Sequence, residues 1–243
     1  MKRVRITILT IAFIAMATIC TVKGQTVMIM KTDQKSVNFK LSGSGKATID
    51  WGEGKPRTRT VGKNTKFRYK YKANATHTIT ITGNHITELE CRNNALTSLD
   101  VSKNTTLTEL VCSYNQLTSL DVSKNTALTK LWCRNNQLTI LDTSENPNLC
   151  YLDCAFNQLS SLNISNSPAL KSLWCRNNQL SDSALNELLK SLPINEQGIE
   201  LAPDYTIKNI DSVPQYCIDN NPGTASCDMR IMDNKGWLRI TVR

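Results

Sequence analysis

Five cysteines recur at intervals of 21 residues: Cys91, Cys112, Cys133, Cys154 and Cys175. Thiols at a fixed spacing suggest metal ligation, disulfide formation or nucleophilic attack. Metal ligation fits poorly, because no C-x-x-C pair occurs and His77 and His85 are the two histidines. Both stand beside expected strand ends, away from any acidic partner, and read as surface or turn residues. Nucleophilic attack lacks a Cys–His pair, and the G-x-S-x-G, H-E-x-x-H and G-x-x-x-x-G-K-[ST] signatures are absent. Glu90 and Asp153 offer a carboxylate pair, but three repeat copies separate them. At the usual strand spacing that is about 14 Å, beyond both glycosidase geometries. No catalytic residues, metal site or cofactor are therefore expected. The D-V-S-K-N strings at 100–104 and 121–125 offer calcium-type oxygens, but a calcium loop usually needs more carboxylates than one. Local turns in which Asp accepts from nearby amides are the preferred reading.

The cysteines keep time for a larger pattern. The stretch from Ile86 to Leu180 writes one pattern five times at a 21-residue spacing, beginning ITELECRNNALTSLDVSKNTT. Counted from the first residue of each copy, positions 1, 4, 6, 11 and 14 are apolar, and Cys holds position 6. Positions 4 and 6 lie two apart, so a short strand turns both inward. Position 9 is always Asn: Asn94, Asn115, Asn136, Asn157 and Asn178. An amide there can pair backbone groups left open where the chain turns. One copy cannot bury its own apolar face, but stacked copies share a core. The pattern resembles the leucine-rich repeat, L-x-x-L-x-L-x-x-N-x-L, with Cys at the third Leu. The resemblance, to internalin-like bacterial surface proteins, implies a β-rich, α+β fold: a short solenoid with a parallel β ladder and a mostly non-helical convex side. Buried thiols are the preferred reading of the Cys column. Stacked disulfides are the alternative, although parallel side-chain vectors suit that bond poorly.

In that fold, positions 3, 5 and 7 point out of the concave face. The candidate binding residues are Glu90, Arg92, Val111, Ser113, Trp132, Arg134, Asp153, Trp174 and Arg176, with Ala155 in the same lanes. Position 3 adds Glu88, Glu109, Lys130, Tyr151 and Ser172, and Tyr114 and Phe156 stand at the rim. The string WCRNNQL is spelled identically at 132–138 and 174–180. Tryptophan and arginine are the composition of interface hot spots. A protein ligand, host or bacterial, is therefore the expected partner of a monomeric chain, with an acidic glycan as the alternative. Plain duplication also explains the identical strings, with Arg stacked on the adjacent ring.

The flanks differ in character. Residues 1–24 read as a signal peptide: Lys2, Arg3 and Arg5 precede an apolar run from Ile6 to Cys20, which is short for a membrane span. A secreted or surface location follows, with lipidation at Cys20 as the alternative. The remaining chain holds 25 Lys or Arg against 20 Asp or Glu, a balance that does not itself indicate nucleic acid. No later run is long enough to span a bilayer. Residues 25–85 read as a β-rich, sandwich-like cap with strands VMIMKT, SVNFKLSG, KATIDWG, KFRYKY and HTITITG. Its Trp51-Gly-Glu-Gly54 turn resembles that of PKD-like β-sandwich modules. The repeats occupy 86–180. The C-terminal region, 181–243, is expected to supply a capping helix from Ser181 or Asp182 to about Leu192, stopped by Pro193. A last rung is expected over 213–220, with Cys217 continuing the column or pairing with Cys227.

Overall fold

The computed structural model describes residues 25–194, 215–219, 221–222 and 238–239. The expected signal segment, Cys20 and Cys227 lie outside the described residues. The strands are β1 (Thr26–Thr32), β2 (Ser36–Gly43), β3 (Lys46–Asp50), β4 (Arg57–Thr60), β5 (Thr65–Lys70), β6 (His77–Gly83), β7 (Ile86–Glu90) and β8 (Leu96–Asp100). There follow β9 (Glu109–Val111), β10 (Lys130–Trp132), β11 (Tyr151–Asp153), β12 (Ser172–Trp174), helix α1 (Asp182–Ser191), β13 (Gln215–Cys217) and β14 (Leu238–Arg239). They form two sheets. One runs β14-β13-β12-β11-β10-β9-β7-β2-β5 and the other β4-β3-β6-β1-β8.

Each 21-residue copy contributes one strand to the first sheet. From β7 through β14 neighbouring strands are parallel, and β7, β9, β10, β11 and β12 match rung for rung. Position 4 (Leu89, Leu110, Leu131, Leu152, Leu173) and the column Cys91 to Cys175 are buried to within 1%. The thiols of Cys91, Cys112, Cys133 and Cys154 are free, and the column is apolar packing. Burial pushes the Cys112 thiol up to about 12, keeping it protonated and inert.

Asparagine amides stitch the rungs together. Asn136 Nδ2 donates to the carbonyls of Cys112 (3.1 Å) and Cys133 (2.9 Å), and its Oδ1 accepts from Leu117 N at 3.1 Å. Asn115, Asn157 and Asn178 repeat the scheme. A second ladder at position 19 escaped the sequence pattern: Asn104, Asn125 and Asn146 are fully buried. Asn125 Nδ2 donates to the Val101 and Asn104 carbonyls at 3.0 and 2.8 Å. Beside this ladder, Asp100, Asp121 and Asp142 each accept from the amide two residues on, at 2.9 Å. These are Asx turns.

The N-terminal strands extend the ladder directly. Antiparallel β2 pairs with β7, and β1 pairs with β8. Each sheet of the sandwich therefore continues one wall of the first rung and covers backbone groups an open end would expose. Asn94 closes the seam: Nδ2 donates to the Asn38 carbonyl at 2.7 Å, and Oδ1 accepts from Asn38 N at 2.9 Å. Within the sandwich, Trp51 packs against Phe39 and Tyr69. Gly52 turns beside it with φ 85°, where a Cβ would meet the Thr78 carbonyl oxygen at 2.7 Å. His77 stacks on Tyr71, and His85 is an exposed turn residue with φ 53°.

At the C-terminal end, Ser181 caps α1 by accepting from Ala184 N at 3.2 Å. Leu185, Leu188, Leu189 and Leu192 seal the core below it. The last rung departs from expectation by one residue. Trp174 pairs with Cys217, so Cys217 falls at position 5 of the register, and buried Ile218 fills position 6. Asn221, not Asn220, takes the ladder place: its Nδ2 donates to the Cys175 and Ile218 carbonyls at 3.1 and 2.6 Å. The ladder demands an apolar residue and an Asn three apart, and Ile218 with Asn221 meets both requirements.

Candidate binding surface

The outward residues form three rows across the nine-stranded sheet. Strand register places Lys66, Lys40, Glu90, Val111, Trp132, Asp153 and Trp174 in one row. Beside it run Arg92, Ser113, Arg134, Ala155 and Arg176, and on the other side Glu88, Glu109, Lys130, Tyr151 and Ser172. The concave face therefore includes β2 and β5, which the repeat count alone did not reveal.

The candidate residues do not stand equally open. Trp132, Trp174, Arg134 and Arg176 are partly exposed, and Arg92 is exposed. Val111 and Ser113 were expected to face solvent, but they are 3% and 4% exposed, and Ala155 is 1%. Short side chains on a concave sheet are covered by larger neighbours, so these three support the surface without offering it. Trp174 Nε1 donates to Ser172 Oγ at 2.8 Å, and Lys130 Nζ lies 6.0 Å from the Trp132 ring.

Charges on this face are largely matched. Glu90 accepts from Lys40 Nζ at 2.8 Å and from Arg92 Nε at 2.9 Å. Glu109 meets Lys130 at 3.3 Å, and Asp153 meets Arg134 at 3.8 Å. Burial pushes the Asp153 carboxyl above its ordinary range, against the Ala155 amide and the two arginines, which favour its ionised form.

The arginines are held by a second device, at position 8. Every residue there is left-handed: Asn93, Tyr114, Asn135, Phe156 and Asn177 have φ from 53 to 57°. Asn tolerates that conformation, whereas for Tyr or Phe it costs about 1 kcal/mol or more. The cost brings a stack: Arg134 lies 5.6 Å from Tyr114 and 5.4 Å from Phe156, and Arg176 lies 4.6 Å from Phe156. Arg134 and Arg176 also donate to Asn135 and Asn177 at 3.2 and 3.3 Å. Rungs carrying Arg-Asn thus alternate with rungs carrying a small residue and an aromatic. That two-rung alternation is readable in the sequence, but a search at 21 residues averages over it.

A family model for leucine-rich repeats, in two copies, matches residues 105–146. These rungs are leucine-rich repeats. Among solved structures, the chain is similar to the functional domain of InlJ from Listeria monocytogenes, which includes a cysteine ladder. Identity there is 30%, covering 60% of this chain and 32% of that one, with a TM-score of 0.44. An internalin (inlF) from Listeria monocytogenes matches at 20% identity over 59% of this chain and 37% of its own, TM-score 0.45. A Leptospira interrogans leucine-rich repeat protein matches at 24% over 63% and 42%, TM-score 0.45. The chain thus spans about a third to two fifths of the length of these proteins. No curated protein matches it. No helix among the described residues is long and apolar enough to cross a membrane.

Proposed function

We propose that this is a secreted or cell-surface leucine-rich repeat protein that binds a protein partner through its concave face. The repeats themselves favour protein recognition. One observation carries the finer reading: partly exposed Trp132 and Trp174 flank a stack of Tyr114, Arg134, Phe156 and Arg176 built on strained backbone. Strain retained at a surface supports a functional role, and pre-ordered arginine between aromatics reduces the entropy lost on binding. The pairing of Arg134 with Asp153 favours a mixed-charge protein surface over an acidic glycan at this site. Glu90 and Asp153 serve here as partners of cations, not as a catalytic pair.

The test is affinity capture from host and bacterial surface extracts with the protein and its W132A/W174A variant. Loss of a specific partner with an unchanged melting temperature is the expected result. Equal capture by the variant would reject the concave site.

A further inference from the structure

The charge of the chain is divided unevenly. Residues 25–85 hold twelve Lys or Arg against three Asp or Glu, whereas residues 86–243 hold thirteen against seventeen. Among the described residues, Lys40 is the one cation of the 25–85 segment within ion-pair distance of a carboxylate. On the repeats, by contrast, Glu90, Glu109 and Asp153 each hold a cation. Unpaired like charges repel one another and weaken the compact state, so their concentration on one module needs a reason. Guarding an edge strand against stray pairing is one such reason, but a single inward charge or a lysine or two suffices for that.

The placement of these cations is more specific. Strands β4 and β5 are the outermost strands of the two sheets, at the end remote from the repeats. Arg57 and Arg59 on β4 and Lys66, Arg68 and Lys70 on β5 are all exposed. Arg57 and Arg59 pair in register with Ile49 and Ala47, which are buried. They therefore lie on the sandwich side of β4 and reach toward β5. Arg59 donates to the Lys66 carbonyl at 3.0 Å and sits 5.4 Å from the Phe67 ring. Lys66, Arg68 and Lys70 alternate with Phe67 and Tyr69, so they stand on the opposite face of β5, in steps of about 7 Å. Cations thus line both sides of one free edge strand.

We infer that this strip, at the free end of the N-terminal sandwich, binds a linear acidic polysaccharide. A straight row of evenly spaced cations matches a polymer that carries anions at regular intervals. The strip has no apolar side chain to insert into a bilayer: the exposed large hydrophobic residues among those described are Tyr114, Ile140 and Ile194, none of them in the sandwich. It has no free aromatic platform for nucleic-acid bases either, since Tyr69 is stacked on Trp51 and bonded to Glu53. The inference does not depend on the concave-face partner, which is read on the Trp and Arg rungs of β10 to β12, four strands or more from β5, although Lys66 stands in the same outward row.

Heparin serves as the probe, titrated against the purified protein across a salt series, with neutral dextran, phosphatidylserine vesicles and single-stranded DNA in parallel. Heparin binding that weakens steeply with salt is expected, with no binding to dextran. Removing three cations in K66Q/R68Q/K70Q should weaken it about 100-fold near physiological salt and flatten the salt dependence. The charge-conserving K66R/R68K/K70R and the distant W132A/W174A variants should bind heparin as the parent does. Absence of salt-sensitive heparin binding, or binding that survives the glutamine variant, would overturn the inference. Tighter binding to vesicles or DNA than to heparin would overturn it in favour of a bilayer or a nucleic acid.

Discussion

Replacing Asn136 by Ala tests whether the amide ladder, more than the apolar column, holds the rungs in register. Asn136 is 8% exposed. Its side chain serves the carbonyls of Cys112 and Cys133 and the amide of Leu117 at 2.9 to 3.1 Å. Alanine leaves the Leu117 N–H buried and unmatched, and takes one of two amide donors from each carbonyl, since Asn115 still serves Cys112 and Asn157 still serves Cys133. The unmatched N–H costs about 1–3 kcal/mol and the two lost bonds about 0.5–1.5 kcal/mol each, so the loss is about 2–5 kcal/mol. That is a large part of a total stability of about 5–15 kcal/mol. Asn125 provides the internal comparison. Its Nδ2 bonds two carbonyls, but its Oδ1 is buried without a partner. Asn125→Ala therefore removes one unsatisfied atom and leaves neither carbonyl bare, because Asn104 N and Leu107 N still donate to them, and should cost less, about 1 kcal/mol. Urea unfolding followed by circular dichroism gives both values, and hydrogen exchange at Leu117 and Leu138 reports where the ladder opens. A loss below about 1 kcal/mol for Asn136→Ala, or a greater loss for Asn125→Ala, would refute this reasoning.

Three further outcomes follow from the same geometry. Thr106 Oγ1 lies 3.0 Å from Asn104 Oδ1, whereas Ala127 stands two residues after Asn125 and offers no hydroxyl. Ala127→Thr should therefore stabilise the protein by about 1 kcal/mol in thermal melts, the typical net value of a hydrogen bond. Asp153 has a folded-state pKa raised by burial, so just above the ordinary carboxylate range the folded state binds more protons than the unfolded one. Its contribution to stability falls as pH rises through that window, and melting temperature measured against pH should show that segment removed in Asp153→Asn. Phe156→Asn relieves a left-handed aromatic while removing the ring under Arg134 and Arg176. Unchanged or slightly higher stability with weakened partner capture is expected, and a marked loss of stability would mean that the ring is structural.

The solenoid was legible because its residues act in columns. Leu at position 4, Cys at 6 and Asn at 9 are each required by one strand and one turn, and repetition multiplies the signal. The helix was legible for a similar reason, since Leu185, Leu188, Leu189 and Leu192 mark one face before Pro193. What escaped depends on neighbours that no local pattern names. β4, Arg57–Thr60, has all four residues exposed, so it carries no alternation to read and exists through its pairing with β3. The position-19 asparagines lie within strings rich in Asp, Ser and Asn, where a buried amide looks like another turn residue. Cys217 misled because the period was counted in residues, whereas the ladder counts bonds.

The concave face shows the same distinction between copying and building. Duplication accounts for the identical strings at 132–138 and 174–180, but it does not account for Ser113-Tyr114 and Ala155-Phe156 between them. A small residue at position 7 lets the arginines of neighbouring rungs lie close to the sheet, and an aromatic at position 8 gives them a surface to stack on. Were the arginines only solubilising the face, Asn would serve at position 8 on every rung, without left-handed strain. The unit of this surface is therefore two rungs, about 10 Å along the ladder, and a partner engaging it should present groups at that interval, not at every strand.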